Sequence, residues 1–389
     1  MKVAICGAGV AGATLAFWLK RAGHQPFLIE RAPALRTAGY VLDFWGLGYT
    51  VAERMGVLPA LLARGYQVER LDFVDADGCK VGGFPVKALQ ALTCGRFTSL
   101  TRGDLAVELH RAVAAQVETI FGDTIAAIDE TADGVEIALE SGAQRSADIL
   151  VGADGLNSRV RRLAFGPDSK FRKHLGYRFA AFSLARYRPR DELAYVLHSA
   201  PGRQIGRFAL RDDRTLFLLA WRASPPSGEA AALSAEALKA HYAGMGWETP
   251  AILARLAEAE DLYADDVAQI RMPKWAKGRV ALVGDAGMAV SFMAGEGAGL
   301  AMAEAYVLAG ELARTADYAN AFASYQRRLA AFLGAKQAAA ERFAATFVPG
   351  SEFGLWLRNQ ATRLMALPGV AGLMLGRSVR DDLDLPDYG

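Results

Sequence analysis

Cysteine is scarce in this chain, with Cys6, Cys79 and Cys94 the three among 389 residues. They are odd in number and form no C-x-x-C pair, which excludes a disulfide framework or a zinc site and fits a reducing, cytoplasmic compartment. Cys6, within an apolar run, reads as a small buried residue. Excess charge of one sign is lacking too: 44 Lys and Arg against 42 Asp and Glu leave +2, which supplies no field for nucleic acid. The local cluster Arg159, Arg161, Arg162, Lys170, Arg172 and Lys173 reads as a solvated face or a seat for dinucleotide phosphates. His24, His110, His174, His198 and His241 show no metal-ligating or catalytic spacing, so no metal is expected. No basic segment with an apolar stretch behind it opens the chain, so no signal peptide is expected. Near the other end, Phe353 to Leu375 is broken by Arg358, Arg363 and Pro368-Gly369, too polar for a transmembrane span. Its apolar face is expected to cover the protein itself, with peripheral membrane contact as the alternative.

What is present begins at Met1. Hydrophobic residues are 52% of the chain, enough for a large core and two interlocked domains. Lys2 to Cys6 reads as a strand, Gly7-Ala-Gly9-Val-Ala-Gly12 as a turn, and Ala13 to Ala22 as a helix. A second apolar run, Pro26 to Ile29, ends in Glu30, placed where a βαβ unit puts a carboxylate on a ribose hydroxyl. Gly7 permits the turn, Gly9 lets backbone approach a pyrophosphate, and Gly12 lets helix and strand pack. The helix N-terminus offers free N–H groups to phosphate.

Further along, Ala32 to Gly48 reads as a loop, and Thr50 to Arg64 as a helix that Pro59 breaks or kinks. Leu71 to Asp75 and Lys80 to Phe84 read as a hairpin turning at Asp77-Gly78. Leu105 to Val113 is a helix with Asp104 suited to its N-cap. Short strands follow at Val117 to Phe121, Thr124 to Glu130, Val135 to Leu139 and Ser146 to Val151. The last runs into Gly152-Ala-Asp154-Gly155, a second strand-to-helix junction with a carboxylate. From about Phe171 to Trp275 the runs Gly176 to Arg186, Leu193 to His198, Gln204 to Leu210 and Arg214 to Arg222 suggest an inserted antiparallel sheet. Ser234 to His241 and Thr249 to Glu260 read as helices, and Asp265 to Met272 as a return strand. A third junction, Gly278 to Ala286, precedes Gly295-Glu-Gly297-Ala298-Gly299 and a helix to Leu312. Tyr318 to Thr346 reads as a long amphipathic helix.

These three junctions resemble the class A flavoprotein aromatic hydroxylases, the para-hydroxybenzoate hydroxylase group, and within it the tetracycline-inactivating monooxygenases. The resemblance covers nearly the whole chain. Gly7, Gly9, Ala11 and Gly12 with Glu30 and Arg31 match the family's AMP-binding unit. Gly152-Ala-Asp154-Gly155 with Ser158 and Arg161 matches its Asp-Gly motif, which ordinary NAD dehydrogenases do not have. Arg279 to Ala286 with Gly295, Gly297, Ala298 and Gly299 matches its Gly-Asp motif, in which Asp285 would bind the ribityl chain of FAD. By the same resemblance Arg36 and Arg102 would lie near the flavin and its phosphates, and Ile125 would touch adenine through its backbone. Where the family reads Gly-Asp-Ala-Ala-His and then Pro, this chain departs with Gly287-Met288 and Phe292.

The resemblance implies an α/β fold: a Rossmann-like FAD-binding domain (1–170 and 265–315), an inserted antiparallel-sheet substrate domain (70–100 and 171–264), and a C-terminal helical segment (316–389). It implies an FAD-dependent monooxygenase that uses NAD(P)H and O2, through a C4a-hydroperoxyflavin, to hydroxylate an apolar aromatic or polycyclic small molecule. No second GxGxxG serves the nicotinamide, so NAD(P)H would bind transiently, and Arg31 leaves NADPH and NADH open. Phe182, Tyr195, Phe208, Phe217 and Trp221 of the inserted sheet, with Phe292, are the candidate substrate contacts; core packing explains the sheet aromatics equally well. Two alternatives remain: a dehydrogenase or reductase of the same fold, favoured by the altered 288–292 segment, and a non-catalytic FAD-binding protein. Monomer and homodimer are both open.

Overall fold

A computed structural model describes all residues except 36–38, 224–233, 292–294, 368 and 380, and the backbone alone at 344, 345, 375 and 377–379. Arg36 and Phe292 therefore lie outside the described residues. One sheet has six strands in the order Ala276–Lys277, Val280–Leu282, Ile149–Gly152, Lys2–Cys6, Gln25–Glu30, Thr119–Phe121. All neighbours are parallel except the first pair. A parallel sheet is covered on both faces, and Val3, Ala4, Ile5, Ile149, Leu150 and Val151 are accordingly fully buried. Helix Val10–Arg21 packs on this sheet and against helix Gly297–Arg314. The register pairs Cys6 with Ile29 and Gly152, and Gly152 with Leu282. All three glycine junctions and Glu30 therefore leave the sheet at one edge, the carboxyl end of its strands.

A second sheet has seven strands, in the order Tyr263–Ile270, Arg172–Ala185, Arg214–Arg222, Arg203–Ala209, Ala194–Ala200, Arg70–Val74, Lys80–Pro85. It is antiparallel except where Ala194–Ala200 runs beside Arg70–Val74. The hairpin turn is at Gly78 (φ +84°), as the Asp-Gly pair requires. Helices Ala235–Tyr242 and Thr249–Ala254 close its outer face over Phe182, Ile205, Phe217 and Trp221. The inner face carries Tyr177 and Phe179 beside Tyr40, and Tyr195 and Phe208 beside Trp45.

Several local expectations change. Within the expected loop 32–48, Val41–Phe44 is a strand paired with Thr98–Thr101, and Gly46–Arg54 a helix. Four residues are too short to be seen without the distant partner. Pro59 starts helix Leu58–Arg64, because the first turn has no use for its missing N–H. The N-cap of helix Arg102–Arg111 is Thr101: its Oγ1 accepts the Asp104 N–H and donates to the Asp104 carboxylate at 2.7 Å. The run 146–151 divides at Asp148 into Gln144–Ala147 and Ile149–Gly152, in different sheets. The expected return strand at 265 is Tyr263–Ile270, an edge of the antiparallel sheet, bonded to Arg172–Ala185 rather than to the parallel strands.

The long helix runs Tyr318–Phe347, followed by Glu352–Leu364 and Val370–Val379. The expectation that this region turns its apolar face inward holds only in part: Leu355, Met365 and Ala371 are buried, the last two against Phe84, while Phe353 is 70% and Trp356 55% exposed. The periodicity that made the helix amphipathic could not tell which face meets the protein. Beyond it, residues 381–389 lie along helix Gly297–Arg314. The Tyr306 hydroxyl donates to the Pro386 carbonyl (2.9 Å), and the Tyr388 hydroxyl to Glu311 (2.6 Å).

Candidate active site

At the first junction the three glycines have separate tasks. A Cβ on Gly7 (φ +106°) would lie 2.4 Å from the Ala153 carbonyl oxygen, and one on Gly12 would lie 1.9 Å from that of Gly7. Both are packing requirements. Around the Cβ position of Gly9 there is no atom within 4 Å, and no side chain caps helix Val10–Arg21, so this helix N-terminus faces open space. Glu30 is anchored beside it, with Oε2 accepting the Ala8 N–H and Oε1 the Ala32 N–H, each at 2.9 Å. A carboxylate held by two amides keeps lone pairs for hydroxyl donors. Arg31 is exposed next to it, and Ile125 is fully buried at the start of strand Ile125–Glu130.

At the second junction Asp154 is held by three protein donors. Its Oδ1 accepts the Ser158 hydroxyl (2.5 Å), and its Oδ2 accepts the N–H groups of Arg159 (2.7 Å) and Val160 (3.1 Å). Asp154 thus braces the start of helix Arg159–Phe165, whose N-cap is Ser158. Arg161, fully buried, donates to Asp168 (2.7 Å) and reaches across to the Ala286 carbonyl (2.8 Å). The second junction is thereby tied to the third.

At the third, Gly284 (φ +62°) turns the chain into Asp285. The Gly284 N–H donates to Glu304 Oε2 (2.8 Å), which also accepts the Tyr325 hydroxyl (3.1 Å). Burial pushes the Glu304 carboxyl up to about 8, only partly offset by those two donors. Asp285 is reached by solvent, yet enclosure by protein raises its pKa; Asp265 adds to the rise, while Arg102 and Arg161 oppose it. Gly297 faces Asp285, since a Cβ there would stand 3.9 Å from Asp285 Oδ1, and helix Gly297–Arg314 has no side-chain cap. Gly295 has φ +70° with no atom of the described residues beyond its chain neighbours within 4 Å of its Cβ position, and Gly299, one residue after Ala298 on the first turn, lies against Gly48.

The antiparallel sheet supplies the opposite wall. Tyr40 stands edge-on to Phe179 (6.1 Å between ring centres), and Phe179 lies 5.7 Å from Tyr263. The Tyr263 hydroxyl donates to Asp265 (2.9 Å). Burial raises the Tyr40 pKa; Arg102 offsets the rise, while Asp285 and Asp265 add to it, so charges from both sheets act on one ring. Asp43 Oδ1 accepts the Ser99 hydroxyl (2.5 Å) and the Tyr195 hydroxyl (3.2 Å), and burial raises its pKa more than these bonds lower it. Tyr195 and Phe208 pack together on this inner face (4.7 Å). Phe182, Phe217 and Trp221 do not: they lie on the outer face with Leu238, Tyr242 and Leu253, as core. Strand alternation decides this, and because both faces of the sheet are apolar the sequence gives no sign of which parity points inward. The inward parity of Phe179, Tyr263 and Asp265 is hidden for the same reason, and Tyr40 and Asp43 lie in a stretch whose sequence reads as a loop.

Two uncapped helix N-termini and two carboxylates, Glu30 and Asp285, thus line a groove along one sheet edge, and an aromatic wall closes its far end. This suits a long ligand with an anionic middle, hydroxyl-bearing arms and a flat ring, and FAD has that shape. Residues 1–328 match the family described as FAD binding domain. A flavin-dependent monooxygenase from an unknown prokaryotic organism is 30% identical over 347 residues, covering 87% of this chain and 88% of its own. The crystal structure of tetracycline destructase Tet(51) has the same fold, with TM-score 0.82 and 29% identity, covering 100% of this chain and 99% of that one. HpxO of Klebsiella pneumoniae, solved with FAD and uric acid, shares the fold at TM-score 0.80 and 22% identity, covering 97% of this chain and 96% of its own.

Proposed function

We propose that this chain, which belongs to the FAD binding domain family and is an FAD-dependent monooxygenase of the class A flavoprotein hydroxylase group, uses NAD(P)H and O2 to hydroxylate an apolar aromatic or polycyclic small molecule. The single observation that carries the reading is Asp285: a solvent-reached carboxylate at the carboxyl end of the parallel sheet, facing the uncapped start of helix Gly297–Arg314. FAD, when bound, supplies the oxygen and hydride chemistry. This chain's residues bind and orient it. Gly9 and the N–H groups of helix Val10–Arg21 receive the pyrophosphate, with Gly7, Ala11 and Gly12 shaping the turn. Glu30 takes ribose hydroxyls, Ile125 meets adenine by its backbone, and Arg31 and Arg102 flank the phosphates and ring. Asp285 holds the ribityl chain. Asp154 braces the junction beside it through Ser158, Arg159 and Val160 and keeps acceptor capacity for the cofactor. Gly295, Gly297, Ala298 and Gly299 present N–H groups where negative charge develops on reduction.

Residues 1–170 (without 70–100) and 265–315 form the FAD-binding part and residues 70–100 and 171–264 the substrate part, with the strand Tyr263–Ile270 crossing the boundary at the edge of the substrate sheet and 316–389 as the C-terminal helical segment. The substrate sits against Tyr195, Phe208 and Phe179, where the apolar wall excludes water from the ring's face. Among the described residues no helix is long and apolar enough to cross a membrane. The test is a purified protein screened for FAD content, for aromatic compounds that accelerate NADPH or NADH oxidation, and for product mass in 18O2. A labelled oxygen atom in the product supports the proposal. Turnover that proceeds without oxygen refutes it in favour of a dehydrogenase.

A further inference from the structure

We infer that Asp381, in the C-terminal tail, is a positioning residue for the flavin, holding the turn Gly46-Leu47-Gly48 and the helix start Glu296 to Gly299 at a fixed separation around the ring. The inference rests on the FAD reading above. Four stretches distant in sequence meet at Lys336, on the helix Tyr318–Phe347. Its Nζ lies 2.7 Å from Asp381 Oδ1 and 2.9 Å from Glu296 Oε2, with the three side chains 11%, 10% and 15% exposed. The Leu47 N–H donates to Asp381 Oδ2 at 2.8 Å.

A buried ammonium needs a charged partner, and Glu296 already provides one. The second carboxylate leaves the trio with one negative charge in excess, so neutralising Lys336 does not account for Asp381. What it adds is the bond to Leu47. Steric fit points the same way: a Cβ on Gly46 (φ +64°) would lie 2.1 Å from Asp381 Oδ2, so the carboxylate fills the place of a side chain there. A Cβ on Gly48 would lie 2.4 Å from Gly299 Cα, so the two turns touch directly. Asp43, Trp45, Gly48, Glu296, Gly299 and Asp381 line one small void between them.

Electrostatics make the clamp firm. Burial pulls the Lys336 ammonium toward its neutral form, but Glu296 and Asp381 together outweigh this and hold its pKa above the ordinary lysine value. Burial raises the Glu296 pKa more than Lys336 lowers it. Pairing with Lys336 also keeps the Glu296 charge from cancelling the positive end of helix Gly297–Arg314. Behind Asp381 the tail is tied down, with Arg54 donating to the Pro386 carbonyl (2.8 Å) and Arg314 lying over the Tyr388 ring (4.5 Å). Asp381 is therefore fixed on both sides.

The test uses the holoenzyme and reads FAD release on dilution together with the fluorescence anisotropy of bound flavin. Asp381→Ala should weaken FAD binding by about ten- to a hundredfold, the loss expected for a charge-assisted hydrogen bond, and lower the anisotropy. Asp381→Asn, which keeps one carbonyl acceptor, should fall between. Asp384→Asn, exposed on the same tail, should match the wild type. If Asp381→Ala lowers the melting temperature but leaves FAD release and anisotropy unchanged, the residue only braces the tail and the inference is overturned. Should Asp381→Ala fail to fold, unchanged FAD release in Asp381→Leu, close in size and without an acceptor for the Leu47 N–H, overturns it equally. A wild-type protein that holds no FAD would instead refute the reading on which the inference rests.

Discussion

Where the parallel sheet meets the groove it presents backbone and short side chains: Gly9, the amides that anchor Glu30, and the turn at Gly284-Asp285. The inner face of the antiparallel sheet instead carries large rings from separate strands, Phe179, Tyr195, Phe208 and Tyr263, with Phe179 and Phe208 buried. The first kind of wall needs a local conformation and is intolerant of added atoms. The second needs a shape, and its members can be exchanged at the cost of fit. Substitutions on the two sides should therefore fail differently.

The largest effects are expected where packing is at stake. Gly12→Val should cost about 3 kcal/mol or more through overpacking, because its Cβ would lie 1.9 Å from the Gly7 carbonyl oxygen. Gly9→Ala, facing open space, should melt as the wild type does and lose FAD affinity alone. Equal melting temperatures for Gly12→Val and Gly9→Ala would remove the distinction drawn between the glycines. On the other sheet, Phe217→Ala should cost about 3–5 kcal/mol in stability and leave the KM of the folded fraction unchanged. Phe179→Ala should instead change KM, and the reverse pattern would exchange the two faces.

A graded effect, read per pH unit, should follow pH. Glu304, with its folded-state pKa near 8 against 4.5 unperturbed, stays protonated in the fold while the unfolded chain ionises. Its contribution is thus fully present below the unfolded pKa and is lost as pH rises through the folded one. The loss should approach about 1.4 kcal/mol per pH unit between roughly 4.5 and 8. Glu304→Gln should flatten the melting-temperature profile over that window, and a parallel profile in the variant would contradict the assignment.

Glu30→Ala should remove a charge-assisted bond to ribose, about 1.5–3 kcal/mol, or ten- to a hundredfold in FAD affinity, measured by equilibrium titration. The smallest effect is expected at the helix start. Ala298→Asp should lower the two-electron potential by at least about 20–45 mV, the equivalent of a dipole contribution of roughly 1–2 kcal/mol. An unchanged potential in an FAD-loaded variant would show that this helix does not face the ring.

Much of the parallel half was legible because its chemistry is local. Gly7, Gly9, Gly12 and Glu30 announce a strand, a turn and a carboxylate within thirty residues, and Asp154 and Asp285 each follow an apolar run that could only be a buried strand. The strand Val41–Phe44 was not legible, since its partner Thr98–Thr101 lies far along the chain. Nor was the work of Asp154 apparent, because Ser158, Arg159 and Val160 reach its oxygens only once the helix has formed.

By itself the sequence determined the order of the elements, the three junctions and the hairpin at Gly78, all of which depend on residues within a few positions of one another. Only the tertiary structure decided that Phe182, Phe217 and Trp221 pack under two helices on one face of the sheet while Tyr195 and Phe208 pack beside Trp45 on the other. It alone brought Arg161 to the Ala286 carbonyl, Glu304 beneath the Gly284 amide, and Asp381 to Leu47. The physical reason is that a strand apolar on both faces carries no record of which face is inward, and a buried charge carries no record of its partner until packing removes the water between them.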